Sequence, residues 1–293
     1  MEHASARRNA LVMLALLSLI WSYNWVVMKQ VLQWTGPFEF AAWRGSLGTV
    51  SLFAVLAWRR ESLRPPPWLP VLLIGAAQTL GFQALVQWAL VDGGAGKTAM
   101  LAYTMPFWVV GVAWFVLHAR PSRVHMVAVG LAFAGLLLML EPWRGLGTLG
   151  SALLAIGAGL CWAVGTVLSK RVFMRGEAGV LSLSAWQMLV GSIGLVLVAV
   201  LVDEKPVEWT VGFIGALAYN GILASGVAWL LWTTIVDRLP TTAAGLSSLV
   251  VPMLGVLFAW SLLGEVPSPA EWAGIALMAL ALAGLGFWRM QAD

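Results

Sequence analysis

The chain has 293 residues, 60% of them hydrophobic and 10% charged, with a formal net charge of +4. A soluble globular domain carries about a quarter charged residues, so water is excluded as the main solvent. Apolar runs of about twenty residues, the length an α-helix needs to cross a hydrocarbon core of roughly 30 Å, recur from end to end and leave no room for a separate soluble domain.

Apolar runs read against breakers predict ten spans: 9–31, 38–58, 68–91, 97–118, 123–140, 148–170, 179–201, 209–233, 241–263 and 270–288. Gly36-Pro37, Pro65-Pro66-Pro67, Asp92-Gly93-Gly94, Pro121, Glu141-Pro142, Pro206, Pro240 and Pro267-Ser268-Pro269 separate them, and none of these links is long enough to join domains. The first run follows Arg7-Arg8 but is long and lacks a small-residue cleavage site, so it reads as a retained helix and not as a signal peptide.

Span 1 carries Trp21, Asn24, Trp25 and Met28 at i, i+3, i+4 and i+7, on one helical face. Span 2 holds Arg44, the clearest intramembrane charge, which must find a partner or pay several kcal/mol. It binds a solute carboxylate, or it ties to helix-end carbonyls or to Glu39. Span 3 sets Thr79, Gln83 and Gln87 on one face with Gln78 adjacent, and span 4 offers Tyr103 and Thr104 ahead of Pro106. Span 5 has one polar group, His125, near an end, and span 10 has none from Trp272 to Phe287. Both are expected to be scaffold, packed on the rest of their own repeat and facing lipid.

The second half echoes the first. Trp21 to Lys29 recurs as Trp162 to Lys170, Ala42-Trp43 as Ala185-Trp186, and Ile74-Gly75-Ala76 as Ile214-Gly215-Ala216. Pro106, Trp114 and Pro121 recur at the same intervals as Pro252, Trp260 and Pro267. Span 6 then supplies Trp162, Gly165, Thr166 and Ser169, span 8 Tyr219, Asn220 and Ser225, and span 9 Thr242, Ser247 and Ser248. Two repeats follow, 9–140 and 148–288. Five spans is an odd number, so the second repeat enters the membrane from the opposite side, the architecture of alternating-access transporters. The expected fold is an all-α membrane protein of ten transmembrane helices, two inverted five-helix repeats around a central cavity.

With the N-terminus inside, twelve basic residues (Arg7, Arg8, Arg59, Arg60, Arg64, Arg120, Arg123, Lys170, Arg171, Arg175, Arg238, Arg289) fall on the cytoplasmic side. Four (Lys29, Lys97, Arg144, Lys205) fall outside. The positive-inside rule therefore predicts cytoplasmic termini. These charges are topology signals and give no reason to expect nucleic acid.

The candidate solute-binding residues are Trp21, Asn24, Arg44, Gln78, Thr79, Gln83, Tyr103, Trp162, Thr166, Tyr219, Asn220, Ser247 and Ser248, with Pro106 and Pro252 as mid-helix kinks and hinges. Each polar side chain here either lines a wet path or joins two helices through a bond of about 1 kcal/mol. Trp34, Trp58, Trp68, Trp143, Trp209, Trp272 and Trp288 lie near span ends as interfacial anchors. Trp21, Trp25, Trp43, Trp108, Trp162, Trp186 and Trp229 lie deeper and either pack helices or offer flat faces to a solute. Glu265 reads as an interfacial residue or a partner for a neighbouring helix end, and the lone Cys161 as a small core residue.

No HExxH, P-loop or nucleophile-base set is present, so no enzyme activity, cofactor or metal is expected. Glu39, Asp92, Glu141, Asp237 and Glu265 all fall near span ends, which disfavours strong ion coupling and lipophilic cations as cargo. A neutral, zwitterionic or anionic solute fits better. A non-transporting scaffold or an embedded enzyme is the alternative of a different class.

Trp21-Ser22-Tyr23-Asn24-Trp25 with Lys29, Arg44, the run Gly96-Lys97 through Trp108, and Pro252, Gly264-Glu265 and Gly274 resemble the drug/metabolite transporter superfamily with paired EamA domains, over nearly the full chain. Overall the chain is most similar to the YddG-type exporters of aromatic amino acids. The resemblance implies ten helices around a central cavity and export of amino acids or related metabolites across a bacterial inner membrane, with the bilayer and a small solute as the partners and a monomer sufficient. Gln187 stands where the second repeat would match Arg44, so any binding role of that arginine is asymmetric. The small multidrug pumps of the superfamily carry a glutamate in helix 1, and here that stretch has none.

Overall fold

The computed structural model describes residues 2–263 and 266–292, with side chains over 12–258, 260–261 and 266–284. The described residues form helices and no strand. We number them α1 (Glu2–Gln30), α2 (Pro37–Trp58), α3 (Trp68–Asp92), α4 (Ala95–Ala102 and Met105–Leu117), α5 (Arg123–Leu140), α6 (Leu149–Met174), α7 (Val180–Leu201), α8 (Val211–Arg238), α9 (Thr241–Ser247 and Val250–Leu263) and α10 (Pro269–Ala292). Nine are long and apolar enough to span a membrane among the described residues, and α10 is apolar over the shorter stretch Pro269–Gly284. Glu265, expected at the outer end of span 9, lies outside the described residues.

Local chemistry starts the helices where the breakers predict. Thr148 and Thr210 cap α6 and α8 by accepting the amides of Ser151 and Phe213 at 3.2 and 3.1 Å. Ser268 and Glu271 form a reciprocal capping box at the start of α10. The start of α2 is capped from far along the chain, for the Glu204 carboxylate accepts the amides of Phe38 and Glu39 at 3.1 and 2.8 Å. A carboxylate there also meets the positive end of the helix dipole.

Three features depart from regular spans. Helices α3 and α8 widen into π-helical turns over Gly75–Gly81 and Tyr219–Val227, a device common at functional sites. Helices α4 and α9 are broken, at Tyr103-Thr104 and at Ser248-Leu249. This corrects the expected mid-helix kinks at Pro106 and Pro252. Pro106 sits at the start of the second half of α4, where a missing N–H costs nothing, and Pro252 sits in the first turn after the equivalent break. Helices α5 and α10 pack mainly against each other and touch α4 and α9 of their own repeats as well, with Phe107 5.2 Å from Phe133 and Trp260 5.5 Å from Trp272 between ring centroids. A Cβ on Gly135 would lie 2.7 Å from the Gly274 carbonyl oxygen, so the two backbones nearly touch.

The repeats exchange partners. Helix α2 packs on the π segment of α8, and α7 on the π segment of α3. The equivalent glycines Gly48 and Gly191 admit Ser225 and Thr79 at these crossings. Lys29 donates to the Leu90 and Gly93 carbonyls at 2.6 and 3.0 Å, at the end of α3, and Lys170 donates to the Asp237 carbonyl at 2.8 Å, at the end of α8. Each lysine thus meets the negative end of the third helix of its own repeat.

Candidate solute-binding site

At the centre, α1, α2, α3, α4, α6 and α8 surround a pocket of about 470 Å³ of atom-free space, open solvent at its mouth included. Its walls are mostly rings. Trp162 lies 4.6 Å from Phe82, 5.1 Å from Trp229, 5.3 Å from Trp21 and 5.5 Å from Trp232 between ring centroids. Tyr103, at the break in α4, stands edge-on to Trp25 at 6.0 Å. The Trp21 indole donates to the Ala224 carbonyl in the π segment of α8 at 3.1 Å, which fixes one wall. Trp162 Nε1 has no partner among the described residues.

One charge enters this wall. Arg44 is buried at 4% exposure, and its Nη1 donates to the Met28 sulfur at 2.9 Å. Asn24 donates to the same sulfur at 3.0 Å. A thioether is a weak acceptor, and Arg44 Nε and Asn24 Oδ1 have no partner among the described residues. Neither Glu39 nor a helix-end carbonyl satisfies the arginine: the Glu39 carboxylate accepts from Trp43 Nε1. A buried guanidinium held only by sulfur is a strong anchor for an anion that brings its own oxygens.

Of the candidate residues, Trp21, Asn24, Arg44, Tyr103 and Trp162 line the pocket. The others lie outside its lining. Gln78 donates to Thr166 at 3.3 Å and Thr79 to Gln187 at 2.6 Å, joining α3 to α6 and α7. Gln83 reaches the Met188 sulfur at 3.9 Å. Tyr219 donates to the Ile20 carbonyl at 2.5 Å, and Asn220 bonds back to Ala216. Ser247 and Ser248 bond to the carbonyls of Ala244 and Gly245 at 2.7 Å each, within the turn that breaks α9. Gln83 Oε1 and Asn220 Oδ1 remain without partners among the described residues.

The lining also includes Phe82, Ala102, Met105 and Ala224, none of which the sequence marks. An apolar residue on an apolar helix carries no signal of which way it faces. Of the deep tryptophans, Trp43 and Trp108 are exposed on the outer surface, 42% and 40% accessible, and Trp232 belongs to the core instead.

A second, larger cleft of about 1480 Å³, open solvent included, lies on the Lys29 side between α1, α4 and α9. Trp25 lines both spaces and separates them. Charges at the rim are paired within the protein: Glu141 with Arg144 at 3.2 Å, Lys29 with its carbonyls, and Lys97 with the Gly145 carbonyl. No group of three or more metal-binding side chains exists among the described residues.

Membrane-length helices around a buried pocket, with a cleft leading toward one face, define a multi-pass membrane transporter of small solutes. The chain belongs to the EamA-like transporter family, whose model matches residues 8–141 and 149–287. It is 26% identical over 262 residues to the uncharacterized transporter YoaV of Bacillus subtilis, covering 87% of this chain and 89% of that one. It is 24% identical to the probable amino-acid metabolite efflux pumps of Salmonella typhimurium, covering 92% of this chain and 91% of that one, and of Escherichia coli, covering 91% of each. A solved structure described only as the crystal structure of a protein superposes with a TM-score of 0.79 at 21% identity, covering 98% of this chain and 99% of that one, and shares the fold.

Proposed function

We propose that this transporter exports amino acids, aromatic and other apolar ones, from a bacterial cytoplasm by alternating access between two inverted repeats. The observation that carries the reading is Arg44 facing a ring-lined pocket with its Nε unpartnered and only a sulfur on Nη1. A solute carboxylate displaces Met28 from the guanidinium and gains charge-assisted hydrogen bonds. The free Asn24 Oδ1 accepts from the solute ammonium. An aromatic or apolar side chain then lies among Trp21, Phe82 and Trp162, where ring faces and edges complement one another. Gln83 and Asn220, each with an unpaired amide oxygen, serve the path when the helices move.

Arg44 accounts for the carboxylate end alone, so competition decides how much the rest of the solute matters. Uptake of labelled tryptophan, phenylalanine and threonine into proteoliposomes, with and without a proton gradient, tests the proposal. Saturable uptake of the aromatic pair, independent of the gradient and competed by unlabelled amino acids, is expected. Uptake competed instead by carboxylates that lack an ammonium group would assign the protein to efflux of another metabolite.

A further inference from the structure

The two ends of the solute path differ in one respect that the internal repeat makes interpretable. On the Lys170 side the path is shut. A Cβ built on Gly245, in the first half of α9, lies 3.3 Å from Val109 Cγ1 and 3.4 Å from Val109 Cβ, in the second half of α4. Val109 and Ala113 are in turn buried against Ala163 and Val167 of α6.

The Pro106 to Pro252 interval places Gly255 at the equivalent of Val109 and Ala99 at the equivalent of Gly245. The Trp21 to Trp162 interval places Ser22 and Val26 at the equivalents of Ala163 and Val167. All four of these partners line the open cleft on the Lys29 side. A Cβ on Gly255 meets nothing within 4 Å among the described residues, whereas its counterpart Val109 is fully buried. Ser22 and Ala99 are buried, so the two ends differ at Gly255 and Val26, which border the open cleft, while their counterparts Val109 and Val167 are packed shut.

We propose that Val109, Gly245 and Val167 form the gate on the Lys170 side, that Gly255, Ala99 and Val26 form the gate on the Lys29 side, and that transport exchanges their packings. The structure has the Lys29 side open. The breaks in α4 and α9 allow the exchange, because each lets one half of a helix tilt while the other half stays packed. Midway, Ser22 holds the α9 break by donating to the Val251 carbonyl at 2.9 Å. Gly159 lets α6 approach the α4 break, with the Ala102 carbonyl oxygen 2.7 Å from the position of an added Cβ. These two mid-membrane contacts are the pivots. Two packings of one sequence, related by the repeat, can differ little in energy, which an exchange of access requires.

The inference rests on the transport reading and not on the identity of the solute. In the full chain carrying Cys161→Ala, one pair of variants is Val109→Cys with Gly245→Cys, whose Cβ separation suits a direct disulfide. The other is Ala99→Cys with Gly255→Cys. Each locked protein is then probed in detergent with a hydrophilic maleimide at Val26→Cys or Val167→Cys, read by mass spectrometry. Locking the first pair is expected to leave Val26→Cys reactive and Val167→Cys protected, and locking the second to reverse both rates by about tenfold or more, as a lock on a two-state population does.

Failure of the second pair to oxidise in monodisperse protein, with Val26→Cys and Gly255→Cys failing too, overturns the proposal. So does a second lock that leaves Val167→Cys protected. Reciprocal labelling in protein that takes up no amino acid overturns the substrate assignment alone. One-sided labelling with uptake intact overturns the gate assignment alone.

Discussion

Trp21 and Trp162 occupy equivalent places in the two repeats and meet edge to face at the centre of the protein, centroids 5.3 Å apart and planes at 82°. A residue that touches its own repeat equivalent lies on the axis relating the repeats. This pair therefore marks the axis, and the pocket forms around it. The pair is not equal in surroundings. Trp21 is tied to the Ala224 carbonyl, while Trp162 holds its place through ring contacts alone, its indole N–H unpartnered.

Removing the central ring should cost both stability and selectivity. Trp162→Ala is expected to lower stability by about 3 kcal/mol or more, the usual cost of emptying an aromatic site, and to weaken aromatic solutes more than threonine. Trp162→Phe should recover most of both. Thermal unfolding in detergent and competition against labelled phenylalanine measure the two effects separately.

Arg44 gives a prediction in which stability and function move apart. Replacing a poorly compensated buried charge by an apolar residue of similar size is neutral or stabilising by roughly 1–4 kcal/mol, so Arg44→Met should unfold no earlier than the parent protein. Solute affinity should fall about tenfold or more, since a hydrogen bond to a charged group is worth roughly 1.5–3 kcal/mol. A less stable Arg44→Met with unchanged affinity would show the arginine to be structural.

Helices α5 and α10 supply a control far from the pocket. An added Cβ at Gly135 has the Gly274 carbonyl oxygen 2.7 Å away, while one at Gly130 of the same helix meets nothing within 4 Å. Gly135→Ala should therefore destabilise by about 1–3 kcal/mol through overpacking, whereas Gly130→Ala should be neutral or gain up to about 1 kcal/mol of helix propensity. Uptake per folded molecule should be unchanged in both.

The charge asymmetry predicts which way the protein lies. A reporter that is active only in the cytoplasm should be active when fused to either end of the chain, and one active only outside should report when inserted between α1 and α2. Reversal of both results would turn the open cleft toward the cytoplasm and exchange the identities of the two gates.

How much the residues themselves determine can be judged helix by helix. The span positions, the separators and the pairing of Trp21-Lys29 with Trp162-Lys170 follow from apolar length, helix breakers and spacing, because a bilayer enforces hydrogen-bonded helices wherever apolar runs are long enough. The stripe Trp21, Asn24, Trp25 and Met28 and the lone Arg44 were visible too, since polar groups stand out against an apolar background. Tertiary structure alone decided that Phe82, Ala102 and Ala224 face the pocket, that Gln78 and Thr79 join helices, and that α5 meets α10. It also decided that α4 and α9 are broken and not bent, and that equivalent positions stand closed at Val109 and open at Gly255. The physical reason is that lipid and protein interior are almost equally apolar, so hydropathy separates membrane from water but not one face of a buried helix from another. That choice is made by close packing, which exists only once the helices have met.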